Sequence, residues 1–507
     1  MLPFPDPLTL PNASRDALQP SIRDRIIAGS LWLISVRWML RVASVVRTVT
    51  LARLLVPADF GMFAMTMLVI QPLHILMSWD IHLALIRDAG PTGREFDTAW
   101  TLRAAQRLAL AALLCLLAPL GGRYFNQPEL TAVIRVFALA VAVAAFENIG
   151  TVAFRKDLDF AKEVSLIALS ALLTLVLTIV AAVIWRNYWA LIIGIVVERS
   201  TTTVLSYVYH PYRPRFSLRA VRELWSFSQW IPLQNVGSFV KDSLGSFLVA
   251  RVFGAASLGL YSMAGSAAGL TAELLAPVSN ALLPGYAKVA HDARRLAHAY
   301  LDALRMLAFL FIPGTVGLVM TAPTLVPVVL GSKWTPAIPI IQALAVYEGI
   351  NGLSSTVANL LMAAGRMRRL TLLVYVQVAA YTPVLAIAAF YGDPTRMAIA
   401  RAGVALLVAP ILFQAVRIVS SVDLAGIGWA LVRPATASAL MAGALLWVQT
   451  SIAGHGLWSL ACQVSAGVIS YAAATAVVWV LAGRPPGPER TGLEWIRDRW
   501  RAQRVRR

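Results

Sequence analysis

The chain has 507 residues, 58% hydrophobic and only 14% charged, with 44 Lys and Arg against 25 Asp and Glu for a formal charge of +19. Mean hydropathy is +0.70. Soluble domains are about a quarter charged, so the composition excludes a water-soluble globular protein, and the lack of alternating strands of the outer-membrane kind leaves spanning helices.

In chain order, residues 1–24 are polar and Pro-rich without an apolar signal core, and predict a free cytoplasmic arm. Fourteen helices follow, at 27–53, 60–86, 97–121, 130–153, 163–184, 188–209, 225–251, 258–287, 302–322, 337–363, 369–391, 397–420, 427–449 and 457–482. The stretches 164–185, 306–332, 370–392 and 434–483 contain no Asp, Glu, Lys or Arg. The last of them holds two spans divided by a turn at 451–456.

Leu51–Met65 and Val249–Met263 echo each other 198 residues apart, with five of fifteen positions identical. The shared residues include Arg53 with Arg251 and Gly61 with Gly259. The offset spans six helices, an even number, so the two halves enter the membrane in the same direction. The expected fold is all-α and integral to the membrane. It has an N-lobe at 25–210 (helices 1–6), an inter-lobe linker at 211–223, a C-lobe at 224–420 (helices 7–12), and helices 13–14 at 421–483 without a counterpart.

Loop charge sets the orientation. Arg155, Lys156 and Lys162, then Arg213, Arg215, Arg219 and Arg222, then Lys288, Arg294 and Arg295, then Arg366, Arg368 and Arg369 fall in alternate loops. The intervening loops carry about one cation each, at Arg53, Arg123, Arg186, Arg251, Lys333 and Arg396. Positive-inside topology then places both termini in the cytoplasm. This also accounts for the basic charge, together with anionic lipid headgroups, and nucleic acid is not an expected partner. The tail at 484–507 reads either as a basic amphipathic helix, with Leu493, Ile496 and Trp500 on one face, or as a disordered basic extension.

Catalytic chemistry is not visible. None of the six histidines has metal-ligand spacing with an acid or Cys, and no Gly-rich loop cradles a phosphate. No metal or cofactor is expected. His291 and His298 read as one solvated face. Cys115 and Cys462 fall in apolar helices and read as buried thiols without a disulfide. The Asn12-Ala13-Ser14 sequon lies in the cytoplasmic arm and is discounted.

Charge inside the membrane remains, and each such group needs a partner or a wet cavity. Arg37, Arg41 and Arg47 lie on helix 1, Asp80 on helix 2, Arg103 and Arg107 on helix 3, and Glu147 on helix 4. Lys241 and Asp242 lie on helix 7, Glu273 on helix 8 and Glu348 on helix 10. Arg37, Arg41 and Arg47 favour the cationic side of a polar cavity between the lobes, suited to an anionic headgroup such as a pyrophosphate. For Asp80, Glu147 and the Lys241–Asp242 pair, cavity lining and structural pairing both remain open. Arg53 and Arg251 sit at helix ends and read as interface anchors; with Gly61, Gly259 and Glu273 they are the gating or structural candidates.

Four segments resemble one family. Leu51–Gly61 resembles its signature at the end of helix 1, and Phe154–Phe160 its short basic loop after helix 4. Ala299–Arg305 resembles its start of helix 9, and Leu330–Ala337 its turn before helix 10. In this order and spacing the chain resembles the Wzx-type polysaccharide flippases of the multidrug/oligosaccharidyl-lipid/polysaccharide superfamily. That family often continues the acid at Asp80 with Gly, whereas Ile81-His82 follows here. The resemblance implies two six-helix lobes in a V and alternating access. The implied cargo is an undecaprenyl-pyrophosphate-linked oligosaccharide, carried across a bacterial inner membrane for surface polysaccharide. Membrane lipids, a polymerase and chain-length or export machinery are the implied partners. A drug or metabolite antiporter of the same superfamily is the first alternative, and helix 1 with arginines alone argues against it. A membrane-embedded polymerase or ligase is the second, and it wants a sizeable outward catalytic loop that is not visible.

Overall fold

A computed structural model of the chain describes residues 22–77, 93–156, 160–218, 230–417, 419–451 and 456–483. Among them there is no strand. The first lobe contains α1 (Ile22–Leu54), α2 (Pro57–Met77), α3 (Gly93–Tyr124), α4 (Glu129–Ala145), α5 (Phe160–Trp185) and α6 (Trp189–Tyr209). The second begins with one helical stretch, Trp230–Val289, broken at Gly254, whose φ of 79° and ψ of −173° suit only glycine. We call its parts α7 (230–253) and α8 (255–289). Next come α9 (Ala293–Leu325), α10 (Ile338–Ala363), α11 (Met367–Tyr391), α12 (Pro394–Val416), α13 (Leu424–Ser451) and α14 (Leu457–Leu481).

By length and apolarity, ten helical stretches among the described residues can cross a membrane, with the α7–α8 stretch counted once. The three helices outside that set are α1, α4 and α10, so these measures do not reproduce the expected fourteen. At 17 residues α4 is short, and its end departs from the expected 153. The chain unwinds because Asn148, fully buried, clamps it. Its Nδ2 donates to the carbonyls of His210 (3.2 Å) and Tyr212 (2.7 Å), and its Oδ1 accepts from Gly150 N (2.9 Å). The chain then makes a 3-10 turn and one helical turn, Ala153–Lys156, so part of the expected basic loop is helical. Helix α9 starts nine residues before the expected 302, capped by Asp292, whose carboxylate accepts from Arg294 N and Arg295 N at 3.0 and 3.1 Å. Ala299–Arg305 therefore lies inside α9, with Tyr300 and Leu304 fully buried. The expected turn at 252–257 contracts to Gly254. Cys115 is exposed and Cys462 half-buried, correcting the expectation of two buried thiols. Both cysteines are free. Asp80, His455, the tail and most of the N-terminal arm lie outside the described residues.

Within the first lobe α3 pairs with α4 and α5 with α6, and α1 lies against α5. Within the second, α10 packs between α9 and α12, and α11 lies against α7–α8. Helices α13 and α14 pack on α9 and bond to it at depth. Gln449 Nε2 donates to Met320 O at 2.7 Å, Gln463 Nε2 to Thr324 Oγ1 at 3.0 Å, and Tyr471 OH to Phe309 O at 2.8 Å.

The lobes meet where the two echoes touch. A Cβ on Gly61 would sit 1.7 Å from the carbonyl oxygen of Ala255, and one on Gly259 would sit 1.7 Å from that of Pro57. The two contacts are the same contact, exchanged by the repeat. Around them the turn after α9 reaches back to the first lobe. Trp334, fully buried, donates Nε1–H to Ala52 O at 2.9 Å and meets Phe60 edge-on at 5.2 Å. Lys333 Nζ donates to Arg53 O at 2.8 Å and to Leu55 O. Burial holds the Lys333 ammonium below the ordinary lysine range, opposed by the charge of Asp59.

Gly61→Ala and Gly259→Ala should each force α2 and α8 apart, at a cost of about 1–3 kcal/mol. A thermal melt in detergent should fall for both. Gly269→Ala, with nothing within 4 Å of its added methyl, should leave the melt unchanged.

Candidate functional site

A cavity of about 650 Å³ lies between the lobes. The first lobe supplies Arg47 and Thr48 from α1, Gln71 from α2, and Glu198 and Arg199 from α6. Phe60, Phe63 and Phe137 form its apolar wall on that side. The second lobe supplies Asp242, Ser243 and Ser246 from α7, with Ser262 and Ser266 from α8. Among the described residues, Arg47, Glu198 and Arg199 have no ion pair and no side-chain hydrogen bond. Arg199 still feels the charge of Glu147; charges at membrane depth without a salt bridge are tolerable where water or a charged ligand reaches them.

Asp242 is the opposite case. Its side chain is half exposed to the cavity, yet it is held from behind. Lys241 Nζ lies 3.5 Å away, Tyr347 OH donates at 3.3 Å, and Arg401 Nη2 lies 3.9 Å away. Arg401, buried in α12, also donates to Asp242 O at 3.0 Å and stacks over the Tyr347 ring at 4.0 Å. Lys241 Nζ reaches Asn351 Oδ1 at 3.3 Å. The second lobe thus presents one fixed carboxylate to the cavity on a charged, hydrogen-bonded support.

The other candidates named from the sequence separate. Arg41 pairs with Glu273 across the lobes, α1 to α8, and neither is among the residues lining the cavity. Arg37 lies on α1, and its side chain is outside the described residues. Glu147 does not face the cavity; it belongs to a clamp between α3 and α4. Its carboxylate accepts from Arg107 Nη1 at 2.9 Å, and its backbone carbonyl accepts from Arg103 Nη2 at 2.6 Å and Trp100 Nε1 at 3.1 Å. These donors satisfy carbonyls left free where α4 ends. Arg53 and Arg251 do more than anchor an interface, because each binds the other lobe. Arg53 donates to Val329 O at 3.0 Å and to Val328 O, while Arg251 lies over the Tyr124 ring at 5.7 Å. Gly61 and Gly259 are the close-contact pair described above.

Three charged residues of this region are not among the candidates from sequence: Glu198, Arg199 and Arg401. The signal is present, since Glu198-Arg199 interrupts an apolar helix and Arg401 lies several residues inside the twelfth. The denser charge clusters in helices 1–4 and 7–8 outweigh it.

The family described as polysaccharide biosynthesis protein matches residues 50–339. The lipopolysaccharide biosynthesis protein WzxC of Escherichia coli (strain K12) is 26% identical over 353 residues, covering 68% of this chain and 72% of that one. The succinoglycan biosynthesis transport protein ExoT of Rhizobium meliloti (strain 1021) is 24% identical over 319 residues, covering 62% and 65%. Among solved structures, the lipid II flippase MurJ in an inward closed conformation superposes with a TM-score of 0.70 at 14% identity, over 90% of this chain and 100% of that one. An inward-facing multidrug transporter of the MATE family superposes with a TM-score of 0.58 at 14% identity, over 75% and 94%. These two likenesses show the fold.

Glu147→Gln should loosen the α3–α4 clamp by about 2 kcal/mol, a charge-assisted hydrogen bond's worth. The melting temperature should fall while the cavity lining stays intact, which a thermal melt with a crystal or cryo-electron structure of the variant will check.

Proposed function

The chain belongs to the polysaccharide biosynthesis protein family, and from that premise we propose that it flips lipid-linked oligosaccharide units across a bacterial cytoplasmic membrane by alternating access of its two lobes. The cargo is a polyprenyl-pyrophosphate carrying a short glycan, destined for surface or exported polysaccharide. The observation that carries this reading is the pair Arg47 and Arg199, cations that make no salt bridge among the described residues and line a cavity shared by both lobes.

The barrier to be lowered is electrostatic. Moving an ion from water into hydrocarbon carries an idealised cost of about 20 kcal/mol. Two guanidiniums in a wet cleft offset much of this for a pyrophosphate, while the polyprenyl chain stays in lipid throughout. Arg41 lies on α1 six residues before the cavity-lining Arg47 and is tied to Glu273. An arriving phosphate would compete with Glu273 for Arg41 and so unlatch α1 from α8, opening a side passage for the headgroup.

On the topology expected from loop charge, the glycine contacts and the Arg53–Trp334 region lie on the outward side. The structure then corresponds to a state sealed outward, with headgroup access from the cytoplasmic leaflet. Both termini lie in the cytoplasm on this reading, and a polymerase receives the flipped unit outside. The chain itself breaks no bond, and its charged groups bind and steer rather than transfer protons to a reacting centre.

The test is translocation in proteoliposomes of a fluorescent short-chain polyprenyl-pyrophosphate sugar. Wild type should move the headgroup to the opposite leaflet, and Arg47→Ala/Arg199→Ala, folded by its melt, should lose at least about tenfold in rate, since removing one charge-assisted contact alone is worth about that factor. Equal rates for both proteins would remove the arginines from the site. Movement of drug-like cations in place of the lipid would overturn the function.

A further inference from the structure

Helix α5 is inside out by the standards of a soluble helix. Its Leu172, Leu173, Val176 and Leu177 are 40–56% exposed, toward where lipid chains lie, while Ser170, Thr174 and Thr178 are at most 5% exposed. Four-residue spacing puts these three hydroxyls on one stripe. The stripe faces α6, where Gly194 leaves room: a Cβ there would lie 2.5 Å from Thr178 Oγ1.

Three buried helical threonines elsewhere in this chain satisfy themselves on the carbonyl four residues back. Thr66 bonds Met62 O at 2.9 Å, Thr321 bonds Gly317 O at 2.8 Å, and Thr371 bonds Met367 O at 3.0 Å. Thr174 and Thr178 forgo this bond. Their Oγ1 atoms are buried and meet no hydrogen-bond partner. Valine would fill the same shape without that cost, which is high where no bulk water reaches.

Both residues border open space. Thr178 is on the wall of the central cavity, and Thr174 is on the wall of a side chamber of about 240 Å³ between α1, α5 and α6. Arg47 and Glu198 line both spaces and mark the junction. The chamber has room for about eight waters, the scale of one sugar ring with its hydroxyls and not of an oligosaccharide. Its polar wall mixes acceptors and donors: the Glu198 carboxylate, Thr174, Ser44, and the Ser170–Thr202 pair bonded at 2.8 Å. Leu40 and Leu175 offer apolar surface for ring C–H groups. Among the described residues the chamber wall carries no aromatic ring and one cation, Arg47, a poor match for a nucleobase, an aromatic drug or a free phosphate.

We propose that the side chamber is a sugar subsite, receiving the hexose joined directly to the pyrophosphate. Thr174 Oγ1 and the Glu198 carboxylate bond ring hydroxyls, and Arg47 holds the adjoining phosphate at the junction. The inference rests on the reading that the cargo is a lipid-linked glycan, and it adds where the first sugar sits and which groups recognise it.

The experiment measures binding to the full chain in lipid nanodiscs. The probes are a short-chain polyprenyl pyrophosphate without sugar and the same lipid bearing one glucose, galactose or N-acetylglucosamine. At least one single-sugar lipid should bind wild type about tenfold or more tighter than the sugar-free lipid, the worth of one or more hydrogen bonds. Thr174→Val should abolish that increment and leave the sugar-free lipid unchanged, and Thr174→Ser should restore it. An increment that survives Thr174→Val overturns the subsite, as does a variant that weakens both lipids equally. No increment with any of the three sugars overturns the subsite while leaving the pyrophosphate reading standing. A single-sugar lipid that binds through Thr174 while the sugar-free lipid does not bind keeps the subsite and sinks the pyrophosphate reading. Binding of neither kind of lipid overturns both.

Discussion

Two backbones in near contact hold this molecule in its present form. Where α2 crosses α8, Gly61 lies against the carbonyl of Ala255 and Gly259 against that of Pro57, so close that neither position can take a side chain. In a bilayer, helices gain little from burying apolar surface against each other, because lipid is equally apolar; close van der Waals approach through small residues is the force that remains. That contact brings the lobes together at one end, lets Trp334 and Lys333 reach carbonyls of α1, and leaves space further along for a cavity lined from both sides.

Polar groups in this region fall into two kinds. Asp242 is fixed by Lys241, Tyr347 and Arg401, and the clamp of Glu147 with Arg103 and Arg107 is likewise closed. Such networks set the positions of helices. Arg47, Glu198 and Arg199 make no salt bridge and no side-chain hydrogen bond among the described residues, and are the groups able to answer a charged or hydroxylated cargo. A transporter needs both kinds. Rigid pairs keep each lobe a solid body through a cycle, and open charges make the cavity attractive to one class of headgroup.

Much of this is legible in the sequence because the bilayer restricts what a chain can do. Apolar stretches declare helices, and the echo at Leu51–Met65 and Val249–Met263 marks the two segments that meet between the lobes. Helix ends are less legible. The end of α4 is set by Asn148, whose partners His210 and Tyr212 come from beyond α6. A local pattern does not carry that information. The roles of charges are legible only by type: Glu147 and Asp242 look alike in sequence, yet one closes a clamp and the other faces the cavity. Arg199, next to Glu198, and the lone Arg401 escape because a cation in an apolar helix carries no sign of whether it will meet a carboxylate, an aromatic face or open space.

The paired glycine contacts have the form of an isologous interface, in which one surface patch meets a second copy of itself about a two-fold axis. A protein with half this chain's length would build the same crossing by dimerising, and in that dimer any single substitution at the glycine would strike both contacts together. Joining the halves in one chain uncouples their fates. Position 53 can bind the carbonyls of Val328 and Val329 while its counterpart at 251 lies over Tyr124. One half can then collect cations along its first helix while the other acquires a fixed carboxylate. Duplication followed by fusion thus permits a symmetric hinge to enclose an asymmetric chamber, which a cargo with a charged end and a sugar end requires.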